Sequence, residues 1–316
     1  MKTIKLLLTF ILVGGLFGAC TADVYIDDHT EEDFSLENLL YSHELWYVDI
    51  NETEGNGEVP FLQVAFTLTF DNGTLLANNN LVGFGSTGDG FGISIGYYDT
   101  YNSTLQIDHD LDGVMNLEVI QHGYDKIELY HKNSNTSYFL NGYMKNEFDY
   151  NAVFYDNIEY FLQEYEAWEK TYTSNYGALN DFDDENFLSF IPASDTSLFL
   201  SSIDKQGTAV NSIYWDYEGF YEVYDVSGDR YLKTLTLDYD FLYNDYFELT
   251  VIDDRTIELF HPKSGTVYEF KGRGFVQYLK GEDLKADSLR KRFKISNPEM
   301  NIERMSSVKD ITIEVN

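Results

Sequence analysis

The stretch TLQIDHDLDGVMNLEVIQHGYDKIELYHKNSNTSYFLNGY, residues 104–143, returns as TLTLDYDFLYNDYFELTVIDDRTIELFHPKSGTVYEFKGR, residues 234–273. At a constant offset of 130, 13 of the 40 positions are identical without a gap, among them Asp108/Asp238, Glu128/Glu258, His131/His261, Tyr138/Tyr268 and Gly142/Gly272. Self-similarity over a fixed interval means that one supersecondary unit has been built twice. The fold problem therefore reduces to one half of the chain.

The correspondence extends upstream. Leu36, Leu39, Leu40, His43 and Trp46 match Ile158, Phe161, Leu162, Tyr165 and Trp168, and both sets share the spacing i, i+3, i+4, i+7, i+10 of one helical face. Asp156 with Glu159 three residues on reads as a capping box for the second helix. FTLTFDNGT (66–74) aligns with LFLSSIDKQGT (198–208) if a small insertion is allowed. In the first half, strands are expected near 45–51, 61–70, 74–85, 90–98, 104–109, 115–121, 125–132 and 136–143, separated by turns such as Asp71-Asn72-Gly73 and Asp112-Gly113. Tyr, Phe, Thr and Val favour half-buried pleated surfaces. So many short strands in one half suggest a closed antiparallel barrel, because closure removes exposed sheet edges. The expected class is all-β: two tandem antiparallel barrel-like domains, each preceded by a short helix that caps one barrel end. The expected boundaries are 35–150 and 151–281.

A helix, a Trp in the first strand and a Gly-Thr turn resemble the lipocalin-like domains of Bacteroidota lipoproteins. Trp46, Gly73 and Thr74 carry the resemblance in the first half, and Trp168, Gly207 and Thr208 in the second. Lipocalins usually place Gly two residues before that Trp, whereas Glu44 and Glu166 stand here. An eight-stranded barrel can be filled by side chains or hold one small ligand, and this reading leaves both open.

The first twenty residues set an address. Lys2 and Lys5 precede an apolar stretch from Leu6 to Gly18, and small residues follow, the order of a secretory signal peptide. The run is too short for a permanent span, which needs about 20 residues. Leu16-Phe17-Gly18-Ala19-Cys20 resembles the lipobox of bacterial lipoproteins, with Phe17 where Leu is commoner. The resemblance implies cleavage after residue 19, a diacylglyceryl thioether on Cys20, and attachment to the outer membrane on its cell-surface or periplasmic face. Two or three acyl chains give stable anchoring. Cys20 is the single cysteine, so an intrachain disulfide is impossible. Residues 20–34, with Asp27, Asp28, Glu31, Glu32 and Asp33, read as an acidic tether.

The chain carries −33, and removal of residues 1–19 takes two lysines and no acid, leaving −35. Residues 282–316 balance seven basic against seven acidic side chains, so the excess lies on 20–281. Such a surface repels nucleic acid, whose phosphates require Lys/Arg stripes. Aromatics make up 16% of the chain, ample for a buried core. Residues 282–316, with a basic cluster from Arg290 to Lys294, read as a mixed-charge, mostly disordered tail in which KDITIEV (309–315) could add an edge strand.

The sharpest metal-like motif is Asp108-His-Asp110-Leu-Asp112-Gly113, which matches the first half of a calcium-binding EF-hand loop. Val119 stands where the closing bidentate Glu belongs, and a strand ending in an Asp-Gly turn accounts for the same residues. His131 and His261 recur at one position of each repeat, which favours a structural role. GFGSTGDGFG (83–92) is the nearest thing to a phosphate loop but lacks a lysine, and its strand-turn-strand setting favours a loose hairpin or β-bulge. No Gly-x-Ser-x-Gly elbow, Gly-Lys-Ser/Thr loop or His-Glu-x-x-His helix occurs. The expectation is a lipid-anchored envelope module that binds or supports without catalysis. Phe84, Phe91, Tyr97, Tyr98, Trp215, Tyr217, Phe220 and Tyr221 are candidates for an aromatic face toward a small molecule or glycan. The alternatives are a carboxylate-based glycan hydrolase and a calcium-dependent glycan binder.

Overall fold

Two closed barrels of eight antiparallel strands follow one another, each entered through a short helix. The computed structural model describes residues 35–191, 197–240, 244–275 and 291–292, and the backbone of 299–300. The first barrel comprises helix α1 (Leu36–Tyr41) and strands β1 (Leu45–Gly55), β2 (Thr67–Asp71), β3 (Thr74–Asn78), β4 (Ile93–Tyr101), β5 (Thr104–His109), β6 (Gly113–Gln121), β7 (Lys126–His131) and β8 (Thr136–Tyr143). Pairing of β8 with β1 closes it, with Trp46 opposite Gly142. After helices α2 (Tyr150–Asp156) and α3 (Ile158–Leu162), the second barrel runs through β9 (Tyr165–Thr173), β10 (Phe187–Ile191), β11 (Leu198–Ser202), β12 (Tyr217–Val226), β13 (Asp229–Tyr239), β14 (Asn244–Asp253), β15 (Thr256–His261) and β16 (Thr266–Phe275). β16 closes on β9 with Gly272 opposite Trp168.

The repeated residues are those that assemble each barrel. Trp46 Nε1 donates to Leu40 O at 3.0 Å and Trp168 Nε1 to Leu162 O at 2.7 Å. Each tryptophan thus satisfies a carbonyl at the end of the preceding helix, a group that has no partner within the helix itself. The helical spacing breaks between the helix and Trp46, because α1 stops at Tyr41 and the indole folds back from the strand. Gly142 and Gly272 are required by close approach: a Cβ would lie 2.5 Å from the ring of His43 in one barrel and of Tyr165 in the other. At the opposite end a 3-10 turn fills each barrel. Pro60–Gln63 seats Phe61 and Leu62, and Asp181–Asp184 seats Phe182, all buried. The paired tyrosines hold these turns, since Tyr138 OH accepts from Gln63 Nε2 and Tyr268 OH donates to Asp183 Oδ1, each at 2.7 Å.

Several expectations need correction. Pro60 starts a 3-10 turn, so residues 61–66 are not strand and β2 begins at Thr67. Register places Leu68 beside Trp46 and Leu188 beside Trp168. The counterpart of β2 in the second barrel is therefore β10, and residues 198–202 correspond to β3. Gly73-Thr74 closes a hairpin, with φ of 47° at Asn72 and 82° at Gly73, whereas Gly207-Thr208 lies in the β11–β12 loop. The Asp156/Glu159 capping box does not form. Asn157 divides the helix, Asp149 caps α2 by accepting from Ala152 N, and Asp156 pairs with Arg230 at 2.5 Å.

The two barrels belong to one compact unit. Leu45, Phe66, Leu81, Phe84 and Phe148 from the first half share a continuous apolar cluster with Phe154, Phe161 and Trp168. The Gly-rich loop lies in this seam as an irregular crossover between β3 and β4. Just ahead of it the Leu81 and Val82 N–H groups donate to Glu164, and its own Gly83 N–H donates to Asp254. Within the stretch that resembled a phosphate loop, the Gly83 N–H thus holds a carboxylate of the protein itself. Arg292, read as part of a disordered tail, is buried in the same seam. Its guanidinium donates to Val48 O, Ala65 O and Asn157 Oδ1 and lies 4.3 Å from the Phe66 ring centroid. Glu299–Met300 form β17, parallel to β12. Cys20, the tether and residues 309–315 lie outside the described residues.

Candidate functional site

The duplication supplies an internal control. Residues kept in both barrels build the scaffold, so a site special to one barrel must lie where the two differ. Register makes Val48 equivalent to Lys170, Ala65 to Glu185, Ala77 to Ser201, His109 to Tyr239 and Met115 to Asp245. All five side chains of the second set are buried. A largely apolar interior in the first barrel is thus replaced by a polar, ionisable one in the second.

These groups form a network. Ser201 Oγ donates a short hydrogen bond to Glu185 Oε2, and Tyr239 OH donates to the same oxygen at 2.7 Å. Lys170 Nζ donates to Phe182 O at 3.2 Å and Asp183 O at 2.6 Å. The ammonium also lies 5.3 Å from the Tyr268 ring centroid, within cation–π range. Burial pushes the Glu185 carboxyl up to about 7, against the two hydroxyl donors that favour its ionised form. Burial likewise brings Lys170 down to about 8, opposed by the charges of Asp183, Glu185 and Asp184. One acid and one base are therefore both brought toward neutrality inside one barrel, a pattern associated with functional sites.

Beside this interior lies a cleft of about 410 Å³. It is lined by Asn180 and Asp181 from the β9–β10 connection, Asp245 at the start of β14, and His261, Lys263 and Ser264 at the β15–β16 hairpin, with Ala178 and Leu179 at its edge. Asp245 and His261 are 4% and 2% exposed, and Asp245 Oδ1 stands 3.7 Å from His261 Nε2. Burial raises the Asp245 carboxyl and lowers the His261 imidazole. The hairpin bond of the histidine is common to both barrels: Nδ1 meets Ser134 Oγ at 2.7 Å from His131 and Ser264 Oγ at 2.8 Å from His261. The facing carboxylate belongs to the second barrel alone, because Met115 occupies that place in the first.

The calcium motif does not gather into a cation cage. Asp108 points outward from β5 between Tyr97 and Val114, and Asp110 is exposed in the turn. Asp112 lies 3.3 Å from His109 Nδ1, which also accepts from the backbone N–H of Leu111 and Asp112. A histidine organises that turn. Among the described residues, no three His, Cys, Asp or Glu side chains converge as metal ligands. The aromatic face also divides: Phe84, Tyr98 and Tyr221 are buried in packing, Phe91 lies beneath Lys145 Nζ, and Tyr97, Tyr217 and Phe220 remain exposed. Sequence reasoning passed over Lys170, Glu185 and Asp245, although the repeat itself marks Asp245 as an acid facing a methionine. The sequence matches no protein-family model and no curated protein.

Proposed function

We propose that this chain is a lipid-anchored outer-membrane lipoprotein, on the cell-surface or periplasmic face, whose second barrel is a non-catalytic binding module. The first barrel is its packed scaffold. The observation that carries the reading is the asymmetry between the barrels: the second opens a cleft beside an ionisable interior at positions where the first places Val48, Ala65, Ala77 and Met115. Buried ionisable groups are costly, so the substitutions call for a compensating use. The lipobox-like sequence at Cys20 supports the anchor.

Mass spectrometry of the native protein should find the chain starting at Cys20 with a diacylglyceryl thioether, and an unmodified thiol would remove the anchor from the reading. Binding is tested by melting the full-length protein with neutral sugars, amino acids, amines and fatty acids. At least one class should raise the melting temperature of the wild type and leave Asp245→Met, which installs the first barrel's residue, unchanged. No shift from any class would reject the binding module.

Glycan hydrolysis remains a second reading, favoured by two carboxyl groups on the cleft, Asp181 and Asp245, and by the raised Glu185 behind them. It lacks the aromatic platform that sugar rings stack on, since the lining residues include none. Release of reducing sugar from a glycan panel, abolished in Glu185→Gln, would put it first.

A further inference from the structure

The hydrogen-bond direction at the cleft floor specifies a ligand. Ser264 Oγ donates its single proton to Thr266 Oγ1 at 2.8 Å and accepts the Thr266 N–H at 3.3 Å. With Ser264 oriented this way, the Nδ1-protonated tautomer of His261 completes the 2.8 Å contact. A neutral imidazole protonated there has a bare lone pair on Nε2. That lone pair is directed toward Asp245 Oδ1, 3.7 Å away and beyond hydrogen-bonding distance. Two nearly inaccessible acceptors thus face one cavity with no proton between them.

A hydroxyl group brings one proton and can satisfy one of the two. A primary ammonium brings three N–H donors, enough for Asp245, for His261 Nε2 and for a further oxygen at the Asn180–Asp181 wall. The field of a chain carrying −33 draws cations toward its surface. Lys263 on the same cleft places a positive charge at the rim, which suits a ligand with a carboxylate at its other end. The volume of about 410 Å³ fits a molecule of amino-acid size.

We propose that the cleft of the second barrel binds a small zwitterion of the amino-acid class, its ammonium between Asp245 and His261 and its carboxylate toward Lys263. This rests on the binding-module reading and narrows it to one ligand chemistry.

The test is calorimetric titration of the full-length protein at neutral pH with glycine, 4-aminobutyrate, 6-aminohexanoate, butylamine, butyrate and glucose. At least one of the three zwitterions should bind more tightly than butylamine, and butyrate and glucose should not bind. Asp245→Asn should weaken the preferred zwitterion roughly tenfold or more, the scale of one lost charge-assisted contact. Lys263→Ala, an exposed position with little bearing on folding, should weaken the zwitterion and leave butylamine unchanged. Glucose or butyrate binding more tightly than every zwitterion would overturn the assignment while leaving a binding module in place. So would undiminished zwitterion affinity in Asp245→Asn or in Lys263→Ala. No binding by any compound here or in the broader melting panel would overturn both.

Discussion

At the scale of single residues, the energetics of the second barrel turn on Glu185 and Lys170. The carboxyl holds its proton up to about pH 7, against 4.5 for the free side chain. Between those limits the folded protein binds a proton that the unfolded chain has released. Stability from this group is therefore fully present below pH 4.5 and is lost as pH rises through 7, by on the order of 3 kcal/mol. Lys170 works in the opposite sense. Its folded value is depressed from 10.5 to about 8, so its contribution is present above 10.5 and lost as pH falls through 8. Between 7 and 8 both costs fall together, offset by their mutual attraction. In urea unfolding followed from pH 4.5 to 7.5, Glu185→Gln should lose stability less steeply than the wild type as pH rises. Parallel curves would show that Glu185 ionises in the barrel as readily as in water.

At the scale of elements, the same helix-to-strand joint is made twice, which allows one substitution to be judged against its twin. Trp168→Phe removes the bond to Leu162 O and leaves a gap beside Phe161, and Trp46→Phe does the same above Leu40. Each should cost about 2 kcal/mol, the sum of a lost buried hydrogen bond and a small cavity. Chemical denaturation measures both, and a large cost in one with none in the other would refute their equivalence. This joint was legible in the sequence because the apolar spacing of Leu36, Leu39 and Leu40 and of Ile158, Phe161 and Leu162 is fixed by local geometry. The barrels were legible because strands and turns recur at an offset of 130. The equivalence of β2 and β10 was not, since one short Phe/Leu/Thr/Ser-rich strand resembles another and only register against Trp46 and Trp168 distinguishes them. The cleft was hidden for a related reason. In so acidic a chain Glu185 is indistinguishable from a surface acid until the barrel turns it inward, and Asp245 is marked only by the methionine at its place in the first repeat. Arg292 was missed because a basic cluster is ordinarily solvated, and its carbonyl partners at Val48 and Ala65 lie more than two hundred residues earlier.

At the scale of the whole molecule, the question is whether two barrels unfold as one body. Tandem domains joined by a bare linker ordinarily unfold separately. Here the connection is packed: α2 and α3 lie in an apolar cluster that includes Leu45, Phe66 and Phe84 of the first half. The polar part of the seam is asymmetric. Glu164 is wholly buried and accepts N–H bonds from Leu81 and Val82, both at 2.8 Å, while Arg292 supplies a buried positive charge to carbonyls of the first barrel. Removing one partner of a buried charged contact costs several kcal/mol, because the remaining groups stay desolvated. Glu164→Ala takes the acceptor from two amide donors, and Arg292→Ala takes the guanidinium donor from the Val48 and Ala65 carbonyls and from Asn157 Oδ1. Both changes act in the seam, Arg292 reaching the first barrel at two backbone carbonyls and the Phe66 ring. The combined variant should therefore weaken coupling more than it weakens each barrel. Calorimetry should record one transition for the wild type, with equal calorimetric and van't Hoff enthalpies, and two resolved transitions for the double variant. Two transitions already present in the wild type would mean that the seam contributes too little to couple the barrels, despite its buried contacts. A single transition that merely moves to lower temperature would locate the coupling in the apolar cluster alone.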